Sequence, residues 1–206
     1  MYARSTTIQA RRSSIDAGID FVHDEVMPVA EKIPGCVGLS MMADRHSGRC
    51  IVTSAWEQLD QMRASDAAMA PLRERGGRVL GGEPFVEEWE IAFLHRDHHA
   101  ARGACVRVTW THGDPSRTDD AISLFRTEIL PALDDLAGFC SAGMFIERAH
   151  GRAVTSVTYD SREAMDSSRD PAMRLRRKTA QDTGSDVLDV AEFELLVAHL
   201  RVPEMA

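Results

Sequence analysis

The stretch from Glu25 to Met62 returns, without a gap, as Glu128 to Met165. Glu25 falls on Glu128, Pro28 on Pro131, Gly35 on Gly138, Met41 on Met144, Arg45 on Arg148 and Gly48-Arg49 on Gly151-Arg152. A chain of 206 residues could otherwise be one large domain, but self-similarity at this period divides it into two copies of about 100 residues. A unit of that size buries its apolar surface incompletely when alone, so each copy is expected to cover the other.

The pattern of each copy reads β-α-β-β-α-β. Tyr2 to Gln9, short, rich in Thr and Ile and ended by the polar Arg11-Arg12-Ser13-Ser14 cluster, reads as a strand, and from Ile15 the period becomes that of a helix: Ile15, Ile19, Val22, Val26, Val29 and Ile33 share one stripe, with Ser13 or Ser14 as N-cap. Pro28 lies inside that helix and Pro131 inside its counterpart, which predicts a built-in bend. Cys36 to Asp44 and Arg49 to Trp56 form a hairpin, Asp60 to Arg75 a second helix followed by a loose Gly76-Gly77/Gly81-Gly82 connection, and Val86 to His95 a fourth strand. The second copy follows the same order through strands at Cys105 to Thr111, Cys140 to Glu147, Ala153 to Tyr159 and Val187 to Ala198, with helices at Thr118 to Leu136 and Arg162 to about Asp182. The expected fold is α+β: two ferredoxin-like (βαββαβ) repeats packed sheet to sheet as an intramolecular dimeric α/β barrel, divided as 1–95, a linker 96–103 and 104–206. Such a linker spans up to about 27 Å, enough for the copies to face one another.

Composition narrows the function. The net charge of −8 disfavours nucleic acid and anionic membrane surfaces as partners, and no apolar run reaches membrane length. Cys36, Cys50, Cys105 and Cys140 lack C-x-x-C spacing and read as buried free thiols of a cytoplasmic protein. The chain holds no G-x-G-x-x-G, P-loop, G-x-S-x-G or H-E-x-x-H motif.

Pro34-Gly-Cys-Val-Gly, the Thr-Ser-Ala-Trp56-Glu strand end, and the Asp60-Gln-Met-Arg-Ala helix start, with Ala137-Gly-Phe-Cys, Tyr159-Asp-Ser, Glu163-Ala-Met and Asp170-Pro171 in the second copy, resemble the antibiotic biosynthesis monooxygenase (ABM) family of dimeric α/β-barrel proteins. The whole chain is also similar to a group of uncharacterised actinobacterial proteins with this tandem layout. The family resemblance implies a cofactor-independent monooxygenase acting on a small aromatic or quinol-like molecule, in a pocket between sheet and helices. A non-catalytic small-molecule-binding or interaction protein is the alternative, and haem binding a weaker one. In haem-degrading members the strand-ending Trp corresponds to Trp56 and Tyr159, the iron-binding His to Ser65 and Ser168, and the first-strand Asn to Thr6 and Thr109. Neither half keeps that set, so no cofactor and no metal is expected.

His95 and His199, each six residues after an aromatic (Trp89 or Phe193), are the candidate catalytic pair, since an imidazole titrates near neutral pH; the plainer reading is a strand-end histidine held by a backbone carbonyl. Trp56, Tyr159, Trp89 and Phe193 are candidate ring contacts for a flat ligand, and otherwise core. Arg4 and Arg107 occupy equivalent first-strand places and are expected either to hold a ligand carboxylate or phenolate or to pair with an acid such as Glu90 or Glu194. The His95-Arg-Asp-His98-His99 run has metal-ligand residues but lies in a linker, and Arg169, Arg174, Arg176, Arg177 and Lys178 read as a solvated basic helix face. The first half, with its Trp56, is the expected active one. The remaining partner expectation is homo-oligomerisation of the pseudo-dimeric chain.

Overall fold

The computed structural model describes residues 1–200, with Leu200 described by its backbone. The first copy runs β1 (Tyr2–Gln9), α1 (Ile15–Phe21), α2 (Met27–Ala30), β2 (Cys36–Ala43), β3 (Arg49–Trp56), α3 (Leu59–Ala64), α4 (Asp66–Leu80) and β4 (Pro84–Arg96). The second repeats it as β5 (Cys105–His112), α5 (Thr118–Leu124), α6 (Leu130–Asp134), β6 (Phe139–Glu147), β7 (Arg152–Tyr159), α7 (Arg162–Ser167), α8 (Arg169–Thr183) and β8 (Asp186–Leu200).

Hydrogen-bonded neighbours follow the order β4-β1-β3-β2 in the first copy and β8-β5-β7-β6 in the second, the ferredoxin-like arrangement expected of each repeat. The pairing closes on itself as an eight-stranded barrel, β1-β3-β2-β8-β5-β7-β6-β4, so the fold is α+β as read from the repeat. Two compact units divide the described chain, residues 1–90 with 193–200 and residues 91–192. β4 and β8 therefore each change unit partway along their length, which accounts for their being longer than the other strands.

In the first unit α1, α2 and α4 cover the sheet around Ile8, Ile15, Phe21, Val22, Val26, Leu39, Met41, Met69 and Leu80. The second unit has its own core of Phe93, Phe125, Ile129, Leu133, Phe139, Met144 and Ile146, with Phe93 and Phe125 meeting edge to face. Each such side chain stabilises the fold by about 1.5–3 kcal/mol on burial.

Both interior prolines are accommodated by the same device. A π-helical turn at Val22–Val26 precedes α2, and one at Phe125–Ile129 precedes α6. The Met27 N–H reaches back to the Val22 carbonyl and the Leu130 N–H to that of Phe125, five residues in each case. Widening the turn there relieves the ladder of the bond that Pro28 or Pro131, at the start of the next α segment, cannot donate. Ser14 occupies the N-cap of α1 without a side-chain bond, because a 3-10 turn at Arg12–Ser14 already holds it in helical geometry. The expected loop at Gly76-Gly77 is helix instead: α4 continues to Leu80 and ends at Gly81 in the left-handed conformation. A Cβ on Gly77 would come within 2.8 Å of the Gly82 carbonyl oxygen and 3.0 Å of Pro84 Cδ, so Gly77 serves close packing.

Candidate active site

Alternation along β5 turns Arg107, Thr109 and Thr111 toward the helices, and β7 adds Val157 and Tyr159. From α8, Ala172, Leu175, Arg176 and Thr179 recur at helical spacing on the same side. With Phe125, Ile129 and Leu133 they line a partly open cavity of about 130 Å³. Arg107 is 5% exposed yet fully engaged. Its Nη1 donates to the Ser168 hydroxyl (2.9 Å), Nη2 to the Met165 carbonyl (2.7 Å) and to Glu192 Oε1 (3.0 Å), and Nε to the same carboxylate oxygen (3.1 Å). The guanidinium also lies 5.6 Å from the centre of the Tyr159 ring.

Two groups at this cavity lack what their chemistry asks for. The Tyr159 hydroxyl is buried and has no hydrogen-bond partner among the described residues. Arg176 makes no hydrogen bond or ion pair among them either; burial, then the neighbouring charges of Arg107 and Arg177, push its pKa down against the pull of Glu192. Burying a polar group unpaired costs free energy, and a half-buried cation without a counter-ion is unusual for a structural residue.

The first copy has the same parts around a smaller space. Its cavity, lined by Arg4, Thr6, Val52, Ser54, Met69 and Arg73 among others, holds about 50 Å³. The Trp56 indole N–H donates to the Ser54 hydroxyl at 3.0 Å. Arg73 pairs with Asp66, whose carboxyl is held below its usual range chiefly by that contact, and Arg4 lies 3.2 Å from the same oxygen. Arg4 also binds Glu88 at 2.8 Å, the residue directly opposite it in the β1/β4 register, where Glu90 faces Tyr2 instead. In the second copy Val157 stands where Ser54 does and Arg169 where Asp66 does, while Ala172 and Thr183 replace Met69 and Leu80. Arg169 turns to Asp166 and Glu192. These exchanges enlarge the space and remove the partners of Tyr159 and Arg176 together.

The other candidates lie elsewhere. His95 sits 3.3 Å from Asp134 Oδ1 and stacks on Phe139. His199 Nε2 is 3.1 Å from Glu31 Oε1, but the two are not aligned as a hydrogen bond. Neither imidazole lines the two cavities described above. Trp89 donates to Ser5 at 2.9 Å, and Arg49 lies over the Phe193 ring at 5.9 Å. Ser65 and Ser168 are buried, each donating to a backbone carbonyl, of Met62 and Met165, so neither is free to bind iron.

From the linker, His98 Nε2 meets Asp160 Oδ1 (2.8 Å), which also accepts from the Cys140 thiol (3.1 Å), while Asp97 holds His98 Nδ1 (2.7 Å). The donor atoms of His98, Cys140 and Asp160 fall within 4.8 Å of one another, a set that could hold a metal ion; here they satisfy each other. Asp160, then Asp97, raise the pKa of His98, and burial, then Asp160, push that of Cys140 up to about 12.

Arg176 was not legible as a site residue within its basic stretch. The signal that finds it is the repeat itself, because superposing the copies shows Arg73 kept as Arg176 while its Asp66 becomes Arg169.

No family model matches the chain. The Mycobacterium tuberculosis protein Rv2558 is 52% identical over the whole chain, which covers 87% of it, and Rv2557 is 49% identical, with 92% covered. Both carry the name uncharacterized protein. Among solved structures, a putative monooxygenase from Lactobacillus acidophilus matches 97% of the chain and 96% of its own at TM-score 0.71 and 9% identity. An anthrone oxidase-like protein matches 100% and 95% at TM-score 0.66 and 13% identity. A Listeria monocytogenes ferredoxin-fold protein related to antibiotic biosynthesis monooxygenases matches 95% and 94% at 0.54 and 10%. At these identities the structural likeness is one of fold. The chain belongs to the family of the mycobacterial proteins Rv2557 and Rv2558, and its fold is that of the ABM-like monooxygenases.

Proposed function

We propose that the chain is a cofactor-independent monooxygenase of the ABM type that oxidises a small aromatic or quinol-like molecule, and that the second half is the active one. The observation that carries this reading is the cavity of about 130 Å³ with Tyr159 and Arg176 unpaired at its wall. The solved monooxygenase and the anthrone oxidase-like protein with this fold support the reaction class. In such a reaction the substrate supplies both electrons. A phenol gives up its O–H proton, a ring carbon bonds one oxygen atom of O2, the O–O bond breaks, and the second oxygen leaves as water with the two hydrogens lost by the substrate. Arg176 and the Tyr159 hydroxyl suit the phenolate stage, as donors at the cavity wall. Free thiols at all four cysteines fit a reducing, cytoplasmic setting. Among the described residues no helix is long and apolar enough to cross a membrane.

Oxygen uptake with a panel of hydroquinones and phenols tests the reading. Turnover that falls at least tenfold in Tyr159→Phe and survives Trp56→Phe supports it; no uptake from any member of the panel contradicts it. The placement of His95 and His199 away from the cavity favours, as second reading, a protein that binds such a molecule without turning it over. Tight binding with no oxygen consumption would establish that alternative.

A further inference from the structure

We infer that the second-half cavity is a receptor for a single-ring aromatic anion, a benzoate or phenolate, whose charge is taken by Arg176 and whose oxygen is bonded by the Tyr159 hydroxyl. This rests on the proposed function only in taking that cavity as the ligand site; it does not depend on turnover.

Size comes first. An apolar cavity of 150 Å³ is known to hold benzene, so about 130 Å³ is the size of one ring and smaller than a fused pair asks. Phe125, Ile129 and Leu175 supply the apolar wall that a ring requires. Charge comes second. Arg107 cannot be the anchor, because Glu192, Ser168 and the Met165 carbonyl already occupy its donors. Arg176 has no such partner, and because burial and the like charges of Arg107 and Arg177 outweigh the pull of Glu192, an incoming anion is favourable. Polarity comes third. The unpaired Tyr159 hydroxyl can donate to, or accept from, a ligand oxygen where the first copy has an indole N–H already satisfied by Ser54.

The first copy supplies the internal control. There Asp66 is the built-in counter-ion of Arg73, and Met69 and Leu80 fill the space that Ala172 and Thr183 leave open. One fold thus carries a smaller cavity whose arginine is paired and a larger one whose arginine is not.

Calorimetric titration of the full chain with 4-hydroxybenzoate, its neutral amide, and 2-naphthoate tests the assignment. The acid should bind at one site per chain, at least tenfold tighter than either competitor, since a charge-assisted bond to guanidinium is lost in the amide. Arg176→Gln should weaken the acid at least tenfold and leave the amide unchanged, whereas Arg73→Gln should leave both unchanged. Ala172→Met, which copies the first half, should abolish binding while the circular dichroism spectrum stays that of the parent. Equal affinity for acid and amide, undiminished binding in Ala172→Met, or no binding of the acid at millimolar concentration would overturn the proposal. Binding of the acid without oxygen uptake would instead refute turnover alone, and turnover of neutral quinols with no preference for the anion would refute this inference alone.

Discussion

Arg107 Nη1 donates to the Ser168 hydroxyl at 2.9 Å, and Arg4 Nη1 reaches the Ser65 hydroxyl at 3.4 Å from the equivalent position. The two contacts tie the first strand of each repeat to the start of its long helix. In the second copy the arginine also binds the Met165 carbonyl and Glu192, so its removal leaves several buried acceptors short of a donor. Arg107→Leu is expected to cost about 2–4 kcal/mol, read as a lowered midpoint in urea unfolding.

The hydroxyl exchange between the halves predicts effects of opposite sign. Ser54→Ala strands the indole N–H of Trp56, which is 0% exposed, and should destabilise by about 1–3 kcal/mol. Tyr159→Phe deletes a buried hydroxyl that has no partner, and without ligand it should be neutral or stabilise by up to about 1 kcal/mol. Thermal unfolding of the two single variants checks both signs.

Gly48 and Gly151 have φ of +85° and +65° and exchange backbone bonds with equivalent neighbours: the N–H groups of Ala10 and Gly113 donate to their carbonyls at 2.8 and 2.9 Å. A Cβ at either glycine would collide with the carbonyl oxygen of that same neighbour. Gly48→Ala and Gly151→Ala should each cost at least about 1–2 kcal/mol, measured by chemical denaturation.

Burial pushes the Cys50 thiol up to about 11, and burial with Asp160 pushes Cys140 up to about 12. The native protein should therefore alkylate at these positions far more slowly than an ordinary peptide thiol at pH 8, by mass spectrometry of each cysteine. Raised folded-state values also fix the sign of the pH dependence. The stability contributed by the neutral thiols is complete below the ordinary value of 9.0 and is lost as pH climbs through about 11 and 12. Replacing Cys50 and Cys140 with Ser should flatten that decline.

Much of the fold could be read from the chain because repeat and periodicity are local and redundant. β1 and β3 fall on the residues read as strands, Tyr2–Gln9 and Arg49–Trp56. The misreadings lie where tertiary contact overrides local preference. Gly76 and Gly77 read as loop but are helical, since the neighbouring backbone leaves no room for a side chain at Gly77. The bends read at Pro28 and Pro131 coincide with π turns, a device that proline signals but does not specify. At the site, Arg4, Arg107 and Tyr159 were visible through their matched positions, and all three line the cavities. Arg176 was hidden because a cation in a basic helix ordinarily faces water, and only the pairing of Arg73 with Asp66 in space shows what Arg176 lacks.

The most direct measurement is the crystal structure of the chain soaked with 4-hydroxybenzoate. One molecule per chain is predicted, its ring among Phe125, Ile129 and Leu175, its carboxylate or phenolate within hydrogen-bond distance of the Arg176 guanidinium and the Tyr159 hydroxyl. A ring in the first-half cavity beside Arg73, or a second-half cavity left empty at saturating ligand, would contradict the account.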